Sequence, residues 1–276
     1  MVNMRTRIAC IALFTCLAAC SSEQAYTVEF DALVGGQPFS CTQSYSGIGT
    51  TMTTIHPLDF RMYVHDLMLV RKSGEQVPLT LDDDGVWQNN GVALLDFEDG
   101  TGICMTNSPQ TNIKVSGHAP ANDYDALTFT VGVPAAQDHL NVITAVAPLN
   151  DPLMFWSWTG GYKYLKLEVQ STGQADFYFH LGAQDCSGAN TSVSCTYPNL
   201  ASIPLTGFSM GVSHVALDLA NLYSTSNLDA QPDATNPVAG CMSIDGADDC
   251  PPLFAKLGLT FPGSPTAPAQ TFFEAK

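Results

Sequence analysis

The sequence predicts an all-β protein, specifically a β-sandwich with long loops, a few short helices and about three disulfides. Short segments alternate apolar and polar residues, as half-buried strands do. Clusters of Gly, Asp, Asn and Pro separate these segments, and stretches with helical periodicity are scarce. Short strands at such spacing are typical of a sandwich or a barrel.

The strands can be placed one by one along the chain. Residues 27–34 alternate and end at Gly35-Gly36, which indicates a first strand and its turn. Further strands are predicted at residues 59–71, 77–81, 92–97, 112–117, 126–133, 164–169 and 176–181. Short helices are predicted at 215–223 and 252–257, and Phe272-Phe273 should belong to the last strand. No repeat or linker divides the chain, so residues 20–276 are expected to form a single β-sandwich domain.

The N-terminus predicts export. Arg5 and Arg7 precede a short apolar run, residues 8–19, which is too short to span a membrane as a stable helix. The sequence LAAC at 17–20 resembles a lipobox, which implies a lipoprotein signal peptide at 1–19 and acylation of Cys20. Ser21 and Ser22 follow Cys20, so the aspartate that would argue against the outer membrane is not present. We therefore expect an outer-membrane lipoprotein facing the periplasm or the cell surface. An ordinary cleaved signal peptide is the alternative.

Charge and motifs exclude several classes of function. The net charge of −16 argues against nucleic-acid binding, because phosphates are bound by Lys and Arg. The chain has no H-E-x-x-H or P-loop sequence, and we expect a protein that is not an enzyme. Contact with the membrane is expected through the lipid anchor only.

The cysteines predict disulfides. Six follow Cys20, and an even number in an exported protein is typical of disulfide bonds, although many connectivities are possible. Equal short spacings favour Cys186–Cys195 and Cys241–Cys250, and Cys41–Cys104 then follows by elimination. A thiolate metal site is less favoured, because no CxxC or similar ligand spacing is present.

Five segments have distinctive sequences: VALLDFEDGTGIC (92–104), the VP…H…APLN run (133–150), MFWSWTGGYKYL (154–165), FHLG (179–182) and GCM…C…PPLFAKLGL near the C-terminus. Together these segments resemble one family, the MbnP-like copper-binding proteins, also described as four-Cys metallo-mystery pair proteins. The resemblance covers roughly residues 27–259, and the W-S-W-x-G-G-Y-K run and the cysteine pattern are its most specific features.

The resemblance implies a copper-binding β-sandwich that is a substrate rather than an enzyme. The implied partner is an MbnH-type dihaem protein, similar to cytochrome c peroxidases, which oxidises a tryptophan of its partner to kynurenine. Trp158 and Trp156 are the expected modified residues, with Trp158 slightly preferred because it is nearer the Gly160-Gly161 turn. In an extended strand, Met154, Trp156 and Trp158 would share one face.

Three histidines are candidate copper ligands, because imidazole binds copper well. His139 lies where the family has a histidine before APLN, although Asp138 stands here in place of the usual asparagine. His180 and His65 lie on predicted strands among apolar residues, where each is either a ligand or a buried, hydrogen-bonded histidine. Four methionines could offer a thioether to Cu(I), but core filling is the more common role for each: Met68, Met154, Met210 and Met242.

Two alternatives remain open. Calcium is a second candidate metal, because two acidic loops offer oxygen ligands, although neither has EF-hand spacing. These loops contain Asn227, Asp229 and Asp233, and Asp245, Asp248 and Asp249. A carbohydrate- or surface-binding β-sandwich lipoprotein without metal, which stacks its tryptophans on sugar rings, is the alternative function.

Overall fold

Most of the chain forms short β-strands. The computed structural model describes residues 22–104, 109–157, 159–188, 192–232, 237–243, 249–261 and 266–276. The strands are β1 (Glu23–Val34), β2 (Gln37–Pro38), β3 (Tyr45–Ile48), β4 (Thr53–Arg71), β5 (Gln76–Pro78), β6 (Thr80–Leu81), β7 (Gln88–Asn89), β8 (Val92–Asp96), β9 (Lys114–Pro120), β10 (Tyr124–Val131), β11 (Phe155–Ser157), β12 (Gly161–Tyr162), β13 (Leu165–Ser171), β14 (Phe177–Leu181), β15 (Gln184–Ser187), β16 (Ser194–Tyr197), β17 (Ala201–Thr206), β18 (Val215–Asp218), β19 (Gly240–Cys241) and β20 (Phe273–Ala275). The helical elements are a 3-10 turn (Pro152–Met154), α1 (Leu219–Leu222) and α2 (Cys250–Lys256).

Two main sheets form the predicted sandwich. The smaller sheet has six strands in the order β20-β18-β1-β9-β6, with β2 added beside β1. The larger sheet has ten, in the order β17-β10-β4-β13-β14-β19, with β3, β5, β7 and β8 attached around β4. Two hairpins, β11-β12 and β15-β16, stand apart from both sheets. The all-β class predicted from the strand pattern is therefore confirmed.

The long strand β4 organises the larger sheet. It pairs antiparallel with β13 through residues 55–62 and with β10 through residues 64–71, so these two strands follow one another along β4. Asp66 has a positive φ of 49°, and the register with β10 shifts between Thr128 and Thr130. A bulge of this kind bends a strand and increases its twist. The part of β4 before the bulge, residues 53–65, carries the buried charges described below.

The core contains aromatic residues from both sheets. Phe30 of β1 meets Phe129 of β10 edge to face, with ring centroids 5.6 Å apart. Phe273 of β20 contacts Phe129 in the same way at 5.4 Å. Each such ring is almost completely buried and contributes roughly 1.5–3 kcal/mol relative to an exposed side chain. Among the described residues, no helix is both long and apolar enough to cross a membrane.

The three disulfides have the predicted pairing. Cys41–Cys104 closes a long loop, while Cys186–Cys195 and Cys241–Cys250 each close a short one. Cys186–Cys195 joins β15 to β16, and Cys241–Cys250 joins β19 to the first residue of α2. The signal peptide and the acylated Cys20 lie outside the described residues, so both stay predictions.

Several elements differ from the prediction, and two of them have a clear physical reason. The helix predicted at 215–223 is strand β18 followed by the single turn of α1. Parallel pairing of β18 with Phe30–Leu33 of β1 outweighs the local helical pattern, and the Asp218 side chain caps the turn by accepting from the Ala220 N–H. Strand β17 was not predicted, although Ala201, Ile203 and Leu205 alternate inward, because Pro204 interrupts the pattern. Proline is tolerated there since β17 lies at the edge of its sheet.

Candidate metal and tryptophan site

The 3-10 turn and strands β11 and β12 form a hairpin beside the larger sheet, here called the WSW hairpin after its sequence Trp156-Ser157-Trp158. Asp151 starts it by accepting a hydrogen bond from the Leu153 N–H at 2.8 Å, which caps the 3-10 turn. Strands β11 and β12 then pair across a turn in which Gly161 has a φ of +73°, a conformation that favours glycine. Met154 belongs to the 3-10 turn and is buried, so strand alternation does not set its direction. Trp158 lies outside the described residues.

Trp156 packs against the end of β14. Its ring centroid lies 6.4 Å from that of His180, and the indole is half-buried. A Cβ atom at Gly182 would lie 2.3 Å from the indole, which is closer than any real side chain allows. The glycine that follows His180-Leu181 is therefore required for Trp156 to reach this position.

A surface cleft of about 480 Å³ opens beside Trp156. Asp185, Met242 and Ser243 also line it. The Ser243 hydroxyl donates to the His180 carbonyl and accepts from the Gly182 N–H, which fixes the floor of the cleft to β14. Trp156 is therefore accessible from solvent along one side, and Met242, one of the four methionines considered as thioether ligands, lies in the same cleft.

His180 is held from behind by a carboxylate. Its Nε2 lies 2.7 Å from Oε1 of Glu168, and the residue is only 3% exposed. Burial opposes ionisation of Glu168, but hydrogen bonds from His180 and Lys166 outweigh it and lower the pKa to about 2. Burial also lowers the pKa of His180. An ionised carboxylate only accepts hydrogen bonds, so Nε2 carries the proton of the neutral ring.

The other ring nitrogen of His180, Nδ1, is buried and has no hydrogen-bond partner in the described part of the chain. With the proton on Nε2, Nδ1 carries the lone pair that a metal ion needs. A buried polar atom of this kind normally has a partner, so this nitrogen fits a metal ligand.

Glu168 belongs to a group of buried charges, here called the charge ladder: Asp59, Arg61, Lys166 and Glu168. Asp59 accepts hydrogen bonds from both Arg61 and Lys166, and Lys166 Nζ lies 3.0 Å from Glu168. The strand register places Lys166 beside Arg61 on one side and beside His180 on the other. Arg61 also donates to Asp151 at 2.8 Å, which ties the ladder to the start of the WSW hairpin.

The sequence contains a weak indication of this ladder that our predictions missed. The tripeptides DFR (59–61) and KLE (166–168) each place two charges around an apolar residue inside a strand. Phe60 and Leu167 are fully buried on one face, so the charged residues must lie on the other. Recognising the ladder also requires knowing that β4 and β13 pair, which the sequence alone does not show.

His139 lies beside a disulfide. Its Nε2 is 3.5 Å from Sγ of Cys195 and 3.4 Å from Oδ2 of Asp138. Asp138 is itself fixed, because it accepts from the Tyr162 N–H at 2.9 Å and the Tyr164 hydroxyl at 2.8 Å. His139 therefore lies between two hairpins. It contacts Cys195 of the β15-β16 hairpin directly, and its neighbour Asp138 is hydrogen-bonded to Tyr162 of the WSW hairpin.

His65 occupies a separate place on β4. It is 4% exposed, its Nδ1 lies 3.1 Å from Asp66, and burial lowers its pKa. Within the described ranges, His65, His139 and His180 do not form one cluster with ligand atoms within 4.8 Å of one another. The three-histidine ligand set therefore stays a prediction, with His180 placed against a tryptophan, His139 beside a disulfide and His65 beside Asp66.

The structure describes only some residues of the two acidic loops proposed to bind calcium. Asp229 accepts hydrogen bonds from Thr51, Thr53, Ser171 and the Gly173 N–H, so both of its oxygens are engaged by the protein. Asp233, Asp245 and Asp248 lie outside the described residues. Calcium binding stays a prediction.

The fold and site together define a class: a disulfide-stabilised β-sandwich with a half-buried tryptophan beside a carboxylate-held histidine. A sequence model of the MbnP family matches residues 23–243, so the chain belongs to the MbnP family. One solved structure, MbnP from Methylosinus trichosporium, has a TM-score of 0.82 at 26% sequence identity, covering 92% of this chain and 98% of that chain. A search of curated proteins finds no match.

Proposed function

We propose that this protein is an exported copper-binding lipoprotein in which a tryptophan, oxidised to kynurenine by a dihaem partner, binds copper together with His180. Membership of the MbnP family is consistent with a copper-associated, non-catalytic role. The lipid anchor at Cys20 and the MbnH-type partner belong to the same proposal.

The observation that carries the proposal is the arrangement of Glu168, His180 and Trp156. Glu168 holds the Nε2 proton of His180 and leaves Nδ1 as a lone-pair donor in a buried position. A carboxylate behind a ligating histidine fixes the tautomer and raises ligand basicity, which is a common feature of metal sites. Imidazole suits copper in either oxidation state.

Trp156 would supply a second donor only after chemical change. An indole has one N–H donor and offers no lone pair to a metal. Conversion to kynurenine removes one carbon and adds one oxygen, and it leaves an aromatic amine and a ketone, both of which can ligate. Trp156 lies next to His180 and reaches the surface cleft, so its oxidation would place new donors near Nδ1. Trp158, slightly preferred from the sequence, is the other candidate for the modification.

Peptide mass spectrometry tests the modification. The protein should be purified from its host with the dihaem partner present, and from the same host without it. We expect the peptide with Trp156 and Trp158 to lose one carbon and gain one oxygen only when the partner is present. Trp156→Phe and Trp158→Phe then identify the residue, and Trp87→Phe is the matched control. Unmodified tryptophan in the presence of an active partner would contradict the proposal.

Copper titration of the modified protein tests the ligands. His180→Ala should weaken copper binding and leave the fold intact, as judged by circular dichroism. His139→Ala and His65→Ala show whether the other two sequence-predicted histidines belong to the site, since an unchanged affinity removes either from it. Retention of wild-type affinity by His180→Ala would contradict the ligand assignment. Sugar binding by unmodified protein without copper affinity would favour the carbohydrate-binding alternative.

A further inference from the structure

His139 and one disulfide bring three metal-binding side chains together. Nε2 of His139 and the two sulfurs of Cys186 and Cys195 lie within 4.8 Å of one another. Cysteine thiolates and imidazole bind Zn(II), and thiolates also bind Cu(I). While the disulfide is intact, its sulfurs are weak ligands, because metal binding requires thiolates.

We propose that reduction of the Cys186–Cys195 disulfide opens a second metal site, in which both thiolates and His139 hold a soft ion such as Zn(II). The step needs a two-electron reductant, such as a dithiol, which becomes a disulfide, or a phosphine, which takes oxygen from water and becomes a phosphine oxide. The two electrons and two protons convert Cys186–Cys195 to two cysteines. The metal ion then displaces both thiol protons to solvent. The proposal goes beyond the copper function and needs neither a modified tryptophan nor His180.

The geometry of His139 already suits such a site. In tetrahedral zinc sites with bonds of about 2.3 Å to sulfur and 2.0 Å to nitrogen, the sulfur and nitrogen ligand atoms lie about 3.5 Å apart. The separation between His139 Nε2 and Cys195 Sγ is 3.5 Å. The imidazole therefore needs little movement, whereas the two sulfurs only have to separate once their bond is broken.

The hairpin keeps the two cysteines facing each other after reduction. Cys186 and Cys195 are directly opposite in the antiparallel pair, between the pairs Gln184↔Tyr197 and Ser187↔Ser194. Side chains at opposite positions of an antiparallel pair start about 4.5–5.5 Å apart at Cβ. His139 is positioned independently of the hairpin, through the neighbouring Asp138 and its bonds to Tyr162 and Tyr164.

Exposure makes this disulfide the accessible one. Cys186 and Cys195 are half-buried, whereas the cysteines of the other two disulfides are buried. A reductant in solution attacks a sulfur directly, so access to the sulfur controls the rate. Mild reduction should therefore open Cys186–Cys195 before Cys41–Cys104 or Cys241–Cys250.

A Cd(II) titration of the mature protein, made without the dihaem partner, tests the proposal. The protein is reduced anaerobically with a phosphine until two thiols per chain are measured, then desalted and titrated. We expect a near-ultraviolet thiolate-to-Cd(II) absorption with one ion per chain, and none in the oxidised protein. Cys186→Ser/Cys195→Ser should remove the absorption under the same treatment.

The role of His139 is tested separately from the disulfide. His139→Ala should weaken Cd(II) binding at least about tenfold, since loss of a ligand costs no less than loss of an outer-shell partner. His118→Ala removes an exposed histidine that pairs with Asp82; it is the matched control and should leave Cd(II) affinity unchanged. Equal affinity of His139→Ala and wild type, or absorption that persists without Cys186 and Cys195, would overturn the proposal. Neither outcome bears on copper binding by the modified protein.

Discussion

At the scale of single residues, the most informative contact is that between Glu168 and His180. The carboxylate decides which nitrogen of the imidazole carries the proton, and burial keeps the ring neutral. A histidine without Glu168 would alternate between two tautomers, and only one of them leaves Nδ1 free for a metal. Glu168 is therefore a positioning residue that acts through His180.

Glu168→Gln should weaken copper binding by the modified protein about 10–100-fold, because removing an outer-shell carboxylate lowers histidine basicity and loosens the tautomer. Equilibrium titration against a copper chelator measures the change, with circular dichroism to confirm folding. Glu75→Gln is the control, since Glu75 pairs with Arg71 on the surface. Equal affinities of Glu168→Gln and wild type would show that the carboxylate does not support the ligand.

At the scale of secondary-structure elements, β4 and β13 carry the charge ladder between the sheet and the WSW hairpin. Two cations and two carboxylates lie in positions that are almost completely removed from water. Buried ions are costly unless each is paired and hydrogen-bonded. Asp59 satisfies this condition for both Arg61 and Lys166, so the ladder depends on it most.

Asp59→Asn should lower the free energy of unfolding by about 3–5 kcal/mol, because it leaves two buried cations without their shared carboxylate. Urea denaturation measures the loss. Glu75→Gln breaks the exposed Arg71–Glu75 pair and should cost only about 0–1 kcal/mol. Similar losses for the two variants would mean that the ladder is solvated and contributes like a surface ion pair.

Local sequence patterns predict individual strands better than they predict which strands pair with one another. Alternation locates most of the strands of the larger sheet, and spacing identifies the two short-range disulfides, since both depend on residues close together in the chain. The third disulfide, Cys41–Cys104, is predicted only by elimination. Residues 215–223 are predicted wrongly because pairing with the distant β1 determines their structure. Pro204 conceals β17, because proline is acceptable only at a sheet edge and the edge is a property of the whole sheet.

The same limit applies to the site. The sequence identifies Trp156 and His180 as candidates, partly through the family resemblance, and both lie side by side. Glu168 is 12 residues from His180 in sequence and becomes its partner only because β13 and β14 pair. His139 is predicted as a copper ligand, but its contact with Cys195 depends on a hairpin that periodicity does not predict.

At the scale of the whole molecule, disulfides and polar clusters hold the long loops to the sandwich. Asp229 joins three segments: the turn before β4, the turn after β13 and its own loop. Burial opposes ionisation of Asp229, but hydrogen bonds from Ser171, Thr51, Gly173 and Thr53 outweigh it and lower the pKa from 3.8 to about 2. A carboxylate with a depressed pKa links the stability of the fold to acid.

Asp229→Asn should therefore change the acid limb of stability. In wild type, the contribution of Asp229 is fully present above the unfolded pKa of 3.8 and is lost as pH falls through about 2. The amide introduced by the substitution does not ionise, so the variant should be less stable than wild type at pH 7, and the difference should shrink between about pH 4 and pH 2. Urea denaturation across this range measures it, and a constant difference would contradict the prediction.

The central claim is that His180 binds copper in a protein whose neighbouring tryptophan has been oxidised. The most direct measurement is the copper content per chain of wild type and His180→Ala, both purified with the dihaem partner and both confirmed by mass spectrometry to carry the modification. We predict one tightly held copper ion in wild type and a loss of that ion in the variant. Equal copper content in the two modified proteins would contradict the claim.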